Sequence, residues 1–264
     1  VKFEGLRKYT HALRECISKD VSTFRSLRHA IELQYYYLKK QNHIDDGASS
    51  ALDIIKNTNF SEQEFLFLNL MEAHTPYDPP EDYQSVEPPE INALEATLSS
   101  PSKPPDNIKR AYEDCVRYLS DIYKDIFTEL EESFDYIITL ADHGEALGEY
   151  GAWAHLCGLY PEVVHVPLVI SGPELEEGGS EKLVSLLDVY QTIRTIGGLE
   201  HKNRGVSLID SQLSSDPVLI TEYQGLLGSY KTSLNNSGLD PSPLVEQREG
   251  IKTKDYYGFY DSWN

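Results

Sequence analysis

Basic residues are scarce in this chain. Lys and Arg number 23 against 43 Asp and Glu, a net charge of −20 over 264 residues. A surface of that sign repels phosphate backbones, which argues against nucleic acid as a partner. It suits a salty environment, where carboxylates keep a protein hydrated and soluble, so the composition is halophile-like. Cysteine is nearly absent: Cys16, Cys115 and Cys157 are odd in number and widely spaced, giving neither a disulfide framework nor a zinc-ligand pattern. No apolar run approaches the ~20 residues of a membrane span, and no signal-peptide pattern is present. The expectation is therefore a cytoplasmic chain without a membrane partner. Internal repeats are missing as well. What the chain does have is apolar content, 40% hydrophobic and 11% aromatic, enough to fill a core and to exclude global disorder.

The most informative stretch runs from Phe134 to Pro173. Phe134 to Ala141 is a short apolar run rich in β-favouring residues and ends abruptly in Asp142-His143-Gly144-Glu145. A glycine-punctuated loop carrying His155 follows, and Val166 to Ser171 starts a second apolar run. Polar residues just past a strand's carboxyl end face the crevice where ligands sit in open α/β sheets. A carboxylate beside an imidazole there is a candidate metal-ligand pair, so Asp142 and His143 are the expected metal residues. Phe65 to Leu70 is a further apolar run, leading into Met71-Glu72-Ala73-His74-Thr75-Pro76-Tyr77.

Elsewhere the pattern is helical. Leu6 to Lys40 reads as helices with apolar faces at Leu13, Ile17, Phe24, Leu27, Ile31 and Leu33, and 47–56 as a short further helix. Residues 91–98 suit a short helix within a proline- and serine-rich stretch. Asp106 is placed to cap a long amphipathic helix whose apolar positions run from Ile108 to Leu130. Ser185 and Asp188 have capping-box spacing ahead of a helix to Ile196, which Gly197-Gly198 ends. Pro217 to Tyr223 suggests a late strand, and the aromatic tail from Gly250 the start of another sheet. The division expected is a helical lead-in over 1–60, an α/β core over 61–225 and a carboxy-terminal extension over 226–264. A strand–helix–strand order implies that the runs at 65–70, 136–140 and 166–170 are parallel neighbours, or near neighbours, in one sheet with helices on its faces.

Together, ADHGE, the Gly148-Glu149-Tyr150-Gly151 turn, Trp153-Ala154-His155, LYPEVVHVPLVISGP and MEAHTPYDPP resemble the carboxy-terminal half of the sulfatases, within the alkaline-phosphatase-like superfamily. The resemblance implies an α/β fold, an alkaline-phosphatase-like α/β/α sandwich with a mostly parallel sheet, here with its amino-terminal part missing. It implies hydrolysis of sulfate esters on a small molecule or glycan, with phosphate- or phosphonate-ester hydrolysis or phosphoglycerol transfer as the alternative. A non-catalytic remnant or interaction module is the reading from another class. His74 would donate to a sulfate oxygen and His155 would face the leaving group, with Ala154 where a glycine is usual. Asp142 and His143 would hold a divalent metal, calcium first, magnesium or manganese otherwise.

The family's nucleophile, a cysteine or serine in a Cys/Ser-x-Pro-Ser-Arg sequence converted to formylglycine, has no counterpart at the three cysteines. Ser99-Ser100-Pro101-Ser102-Lys103 resembles it superficially but follows His74, where the family's order puts it first, so formylglycine is not expected here. Asp45-Asp46 has no strand before it and reads as a decoy for the family's upstream metal aspartates. Glu145 and Glu149 read as loop structure or solvent-facing charge, and Cys157 as a small buried hydrophobe. The expectation is a chain weak or inactive alone, with a separately encoded amino-terminal half as one further partner.

Overall fold

The computed structural model describes residues 28, 45–89, 91–99, 105–173, 175–199, 204–210, 217–254 and 256–260. Apart from Arg28, the expected helices of 6–40 lie outside the described residues.

The first described helix, α1 (Ala48–Lys56), buries Ala48, Leu52 and Ile55, the last two a single turn apart. That face packs on α3 (Pro105–Glu131), 27 residues long and so about 40 Å in length. Leu52, Ile55, Ile126 and Leu130 form a buried cluster, against which Leu66, Leu68, Leu70, Phe134 and Ile137 pack. The alternation of 65–70 is that of a strand, for Phe65 and Phe67 stay exposed while the residues between them face this core. The run makes no ladder among the described residues. Between these elements lies α2 (Ala93–Ser99), and the amino-terminal half of α3 builds a second cluster of Tyr77, Ala96, Ile108, Ala111, Cys115 and Trp153.

The α/β class holds, and the direction of strand pairing is corrected. Strand β1 (Ile137–Leu140) pairs with β4 (Leu168–Ser171) antiparallel, Ile137 opposite Ser171 and Leu140 opposite Leu168. The reason lies in what joins them. Residues 141–167 contain a two-residue hairpin, β2 (Ala146–Leu147) with β3 (Trp153–Ala154), and the four-residue helix α4 (Pro161–Val164). No element there is long enough to carry the chain back along the sheet as a parallel crossover would, so it returns at the end of β1 where it left.

Asp106 is likewise corrected. Helix α3 begins at Pro105, whose missing N–H costs nothing at a helix start, and Asp106 sits inside the first turn as favourable charge. The capping box is as expected: α5 (Leu186–Ile196) is preceded by Ser185, whose backbone N–H donates to Asp188 at 2.7 Å. Strand β5 (Leu219–Tyr223), the short helix α6 (Gly228–Asn236), β6 (Arg248–Lys252) and β7 (Tyr257–Tyr260) complete the described chain, the three strands forming one antiparallel sheet. Among the described residues no helix is long and apolar enough to cross a membrane.

Two carboxylates fasten the start of α1. Asp45 accepts the backbone N–H groups of Gly47 and Ser49 at 3.0 and 2.7 Å and the Tyr118 hydroxyl at 2.6 Å, which makes it an anchor of the helix start. Glu72, buried, accepts the Ala48 N–H at 2.7 Å, so the loop leading to His74 is tied to the helix. Its second oxygen has no partner. Burial, and the nearby Asp45 and Asp46 charges, raise its carboxyl above the ordinary value of 4.5 despite the Ala48 bond. A carboxyl raised on folding contributes stability below its unfolded value and loses it as pH climbs through the folded one. Glu72→Gln should therefore raise the melting temperature at neutral pH, and the gain should vanish below about pH 4, where the native carboxyl is neutral in both states. A gain independent of pH would refute the charged-carboxylate explanation.

Candidate active site

Three loops converge at the end of β1. The first follows the 65–70 run. There the His74 N–H donates to the Met71 carbonyl at 2.9 Å, and the ring Nδ1 lies 2.7 Å from the Thr75 carbonyl. A carbonyl only accepts, so Nδ1 carries the proton and Nε2 is the free ring nitrogen. Tyr77 of the same loop is buried to 1% exposure and meets Tyr112 edge-on at 5.5 Å, which locks the loop to α3.

The second loop is 142–145, straight after β1. His143 repeats the arrangement of His74, its Nδ1 being 2.9 Å from the Gly144 carbonyl. The Asp142 carboxylate is 88% exposed and stands 3.7 Å from His143 Nε2. Gly144 seats the loop: its N–H donates to the Val163 carbonyl at 2.7 Å, and its α-carbon lies so close to α4 that a Cβ would stand 2.0 Å from the Glu162 carbonyl oxygen. Glycine is required here by that close approach.

The β2–β3 hairpin is the third. Glu145 precedes β2 and His155 follows β3, so pairing of the two short strands brings them face to face. His155 Nδ1 lies 2.7 Å from a Glu145 oxygen, with side-chain exposures of 15% and 8%. The other Glu145 oxygen accepts from the Tyr77 hydroxyl. Ala154, which precedes His155, has φ 59°, the left-handed region that glycine enters freely, and this is the backbone reason for a glycine at the position.

The histidines expected from sequence are thus brought together. His143 and His155 stack at a centroid distance of 4.0 Å and 24°, and His74 tilts onto His155 at 5.0 Å and 57°. His143, Glu145 and His155 each offer a ligand atom within 4.8 Å of the others, a group able to hold a metal ion. Asp142 is outside that group of three and reaches it only through His143. The donor chemistry, carboxylate oxygens beside imidazole nitrogens in a strongly acidic protein, fits a divalent cation.

Of the two readings expected for Glu145, loop structure or solvent-facing charge, the second does not hold, for the carboxylate is enclosed between Tyr77 and His155. The only sequence signal is long-range, a tyrosine in the first motif and a histidine in the third, both needing one acceptor. Glu149 is loop structure as expected, accepting the Leu147 N–H at 2.6 Å with Lys109 at 3.8 Å. Cys157 is buried, as a small hydrophobe should be, and burial pushes its thiol up, which disfavours the nucleophilic thiolate. Ser99 donates to the Glu95 carbonyl of its own helix at 2.7 Å.

Comparison with known proteins bears on family and fold. The sequence family described as Sulfatase matches residues 18–199. A choline-sulfatase of Rhizobium meliloti strain 1021 is 29% identical over 154 residues, covering 54% of this chain and 27% of that protein. The crystal structure of a phosphonate monoester hydrolase of Agrobacterium radiobacter superposes with a TM-score of 0.57 at 15% identity, covering 81% of this chain and 51% of the other. That likeness is one of fold. The chain spans about a quarter of the one relative's length and about half of the other's.

Proposed function

The chain belongs to the sulfatase family, and we propose that its histidine-lined edge is the metal- and anion-binding half of a sulfuric ester hydrolase site. One observation carries the reading: two motifs far apart in sequence deliver His74, His143 and His155 to one cluster with ring separations of 4.0 and 5.0 Å. Asp142 and His143 would hold the divalent metal, calcium first and magnesium or manganese otherwise. When bound, such a metal polarises an ester oxygen and offsets developing negative charge.

The rest falls to the chain's own side chains. His74 offers Nε2 to a sulfate oxygen and donates when that nitrogen is protonated. His155 stands across from it, between His74 and His143, where a departing alkoxide or phenoxide would collect a proton from its Nε2 once that nitrogen is protonated. Tyr77 and Gly144 keep the loops from drifting, and alignment of this kind decides rates, for a misplacement of about 1 Å can cost about a hundredfold. The substrate class proposed is a sulfate ester of a small molecule or glycan. Phosphonate or phosphate esters are the second reading, favoured by the shared fold with a phosphonate monoester hydrolase.

Calorimetric titration tests the binding half. Inorganic sulfate should bind only with calcium, magnesium or manganese present, and the binding should weaken at least about tenfold in Asp142→Asn and in His74→Ala, each removing one charge-assisted contact. Sulfate binding that ignores metal and both substitutions would overturn the assignment.

A further inference from the structure

Glu145 has no role in the reading above beyond completing a group of possible ligands, yet it is the best-enclosed carboxylate of the site. Both of its oxygens are engaged, one by the Tyr77 hydroxyl and one by His155 Nδ1 at 2.7 Å. A carboxylate with both oxygens committed to hydrogen bonds must surrender one to become a metal ligand. Tyr77 can only donate in this pairing. Burial first, and the Glu145 charge next, push its phenol far above the ordinary range, so the hydroxyl keeps its proton. It is rigid as well, packed among Ala96, Ile108, Ala111, Cys115 and Trp153.

A neutral imidazole has one N–H and one lone pair, and the partner of one nitrogen decides what the other can do. An ionised carboxylate only accepts, so the Glu145 bond requires the proton on His155 Nδ1. We propose that Glu145 is a positioning residue which, anchored by Tyr77, holds His155 in its Nδ1–H tautomer and directs Nε2 toward the bound ester. His155 is then the third ring of the cluster fixed by the same device. His74 and His143 use backbone carbonyls for it, while His155, at the base of a hairpin, borrows a side chain from the facing strand. The inference rests on His155 being the leaving-group residue only for its consequence, not for its geometry.

Nitrogen-15 spectra of the imidazole side chains test it without any turnover, with His155 assigned by its loss in His155→Gln. The intact chain should show His155 as a single Nδ1–H tautomer near neutral pH. Glu145→Gln has one acceptor oxygen left for two donors, Tyr77 and His155, and turns its NH2 toward His155 when the oxygen serves Tyr77, so it should lose the pure Nδ1–H pattern; Glu145→Ala should show the averaged signals of an imidazole free to exchange. In Tyr77→Phe the Nδ1 proton should exchange faster with solvent because its acceptor is no longer anchored. An Nε2–H tautomer in the intact chain would overturn the proposal, as would an unchanged single Nδ1–H tautomer in Glu145→Gln or Glu145→Ala. If Glu145→Ala does not fold, the intact and Glu145→Gln spectra decide alone. Should sulfate binding fail while these spectra come out as expected, the functional reading falls and the positioning role stands.

Discussion

Gly144→Ala should cost the protein about 3 kcal/mol or more of stability and about a hundredfold in metal-dependent sulfate affinity. The new methyl carbon would sit 2.0 Å from the Glu162 carbonyl oxygen and 3.1 Å from its carbon, both backbone atoms of α4 that cannot swing aside as a side chain would. One of two things must move. If the 142–145 loop lifts, the 2.7 Å bond from Gly144 to Val163 breaks and His143 leaves its stack on His155. If α4 moves, it drags Val163 out of the buried set it forms with Ala146 and Ala152 beneath the hairpin that carries Glu145 and His155. Either path disrupts the cluster. Denaturant melts with calorimetry on the same sample measure both effects, and an unchanged midpoint with unchanged affinity would show that the loop does not depend on this contact.

The second large effect is catalytic. The 264-residue chain alone should give no detectable turnover of a chromogenic aryl sulfate with calcium, magnesium or manganese added, and Asp142→Asn should look the same. Removing the nucleophile of a covalent mechanism costs on the order of a millionfold, and neither buried cysteine is activated: burial raises Cys115 to about 12 and pushes Cys157 up as well. Turnover abolished by Asp142→Asn would mean that an attacking group exists among these residues, with Ser99 and Cys157 the first to substitute. Activity that returns on mixing with a polypeptide bearing a Cys/Ser-x-Pro-Ser-Arg strand would make this chain one side of a divided site.

How far such a site is legible in sequence depends on the range of the information. The strand at 137–140, the helix at 105–131 and the capping box at Ser185 are local, written in periodicity and in pairs a few residues apart, and they stand where the pattern puts them. That His74, His143 and His155 converge was legible because each lies in a motif following an apolar run, and their rings do stand together. Strand direction was not, since it depends on where 141–167 turns back, and a strand–helix–strand order reads the same whether or not the connection crosses the sheet. The enclosure of Glu145 was not legible for a related reason. Its burial is created by Tyr77 and His155, neither of which is near enough in sequence to mark it. Asp106 was read as a cap because an acidic residue suits both the cap and the first turn, and it sits in the first turn of a helix that already includes Pro105.

The measurement that bears most directly on the shared site is paramagnetic broadening of the histidine ring protons by manganese. If Asp142, His143 and the neighbouring rings form one metal edge, trace manganese should broaden His143, His155 and His74 together, and excess calcium or magnesium should sharpen them again. In Asp142→Asn the manganese needed for the same broadening should rise at least about tenfold, the loss of one charged ligand. Broadening spread without preference over all eight histidines, or equally strong in Asp142→Asn, would contradict a metal site at the end of β1.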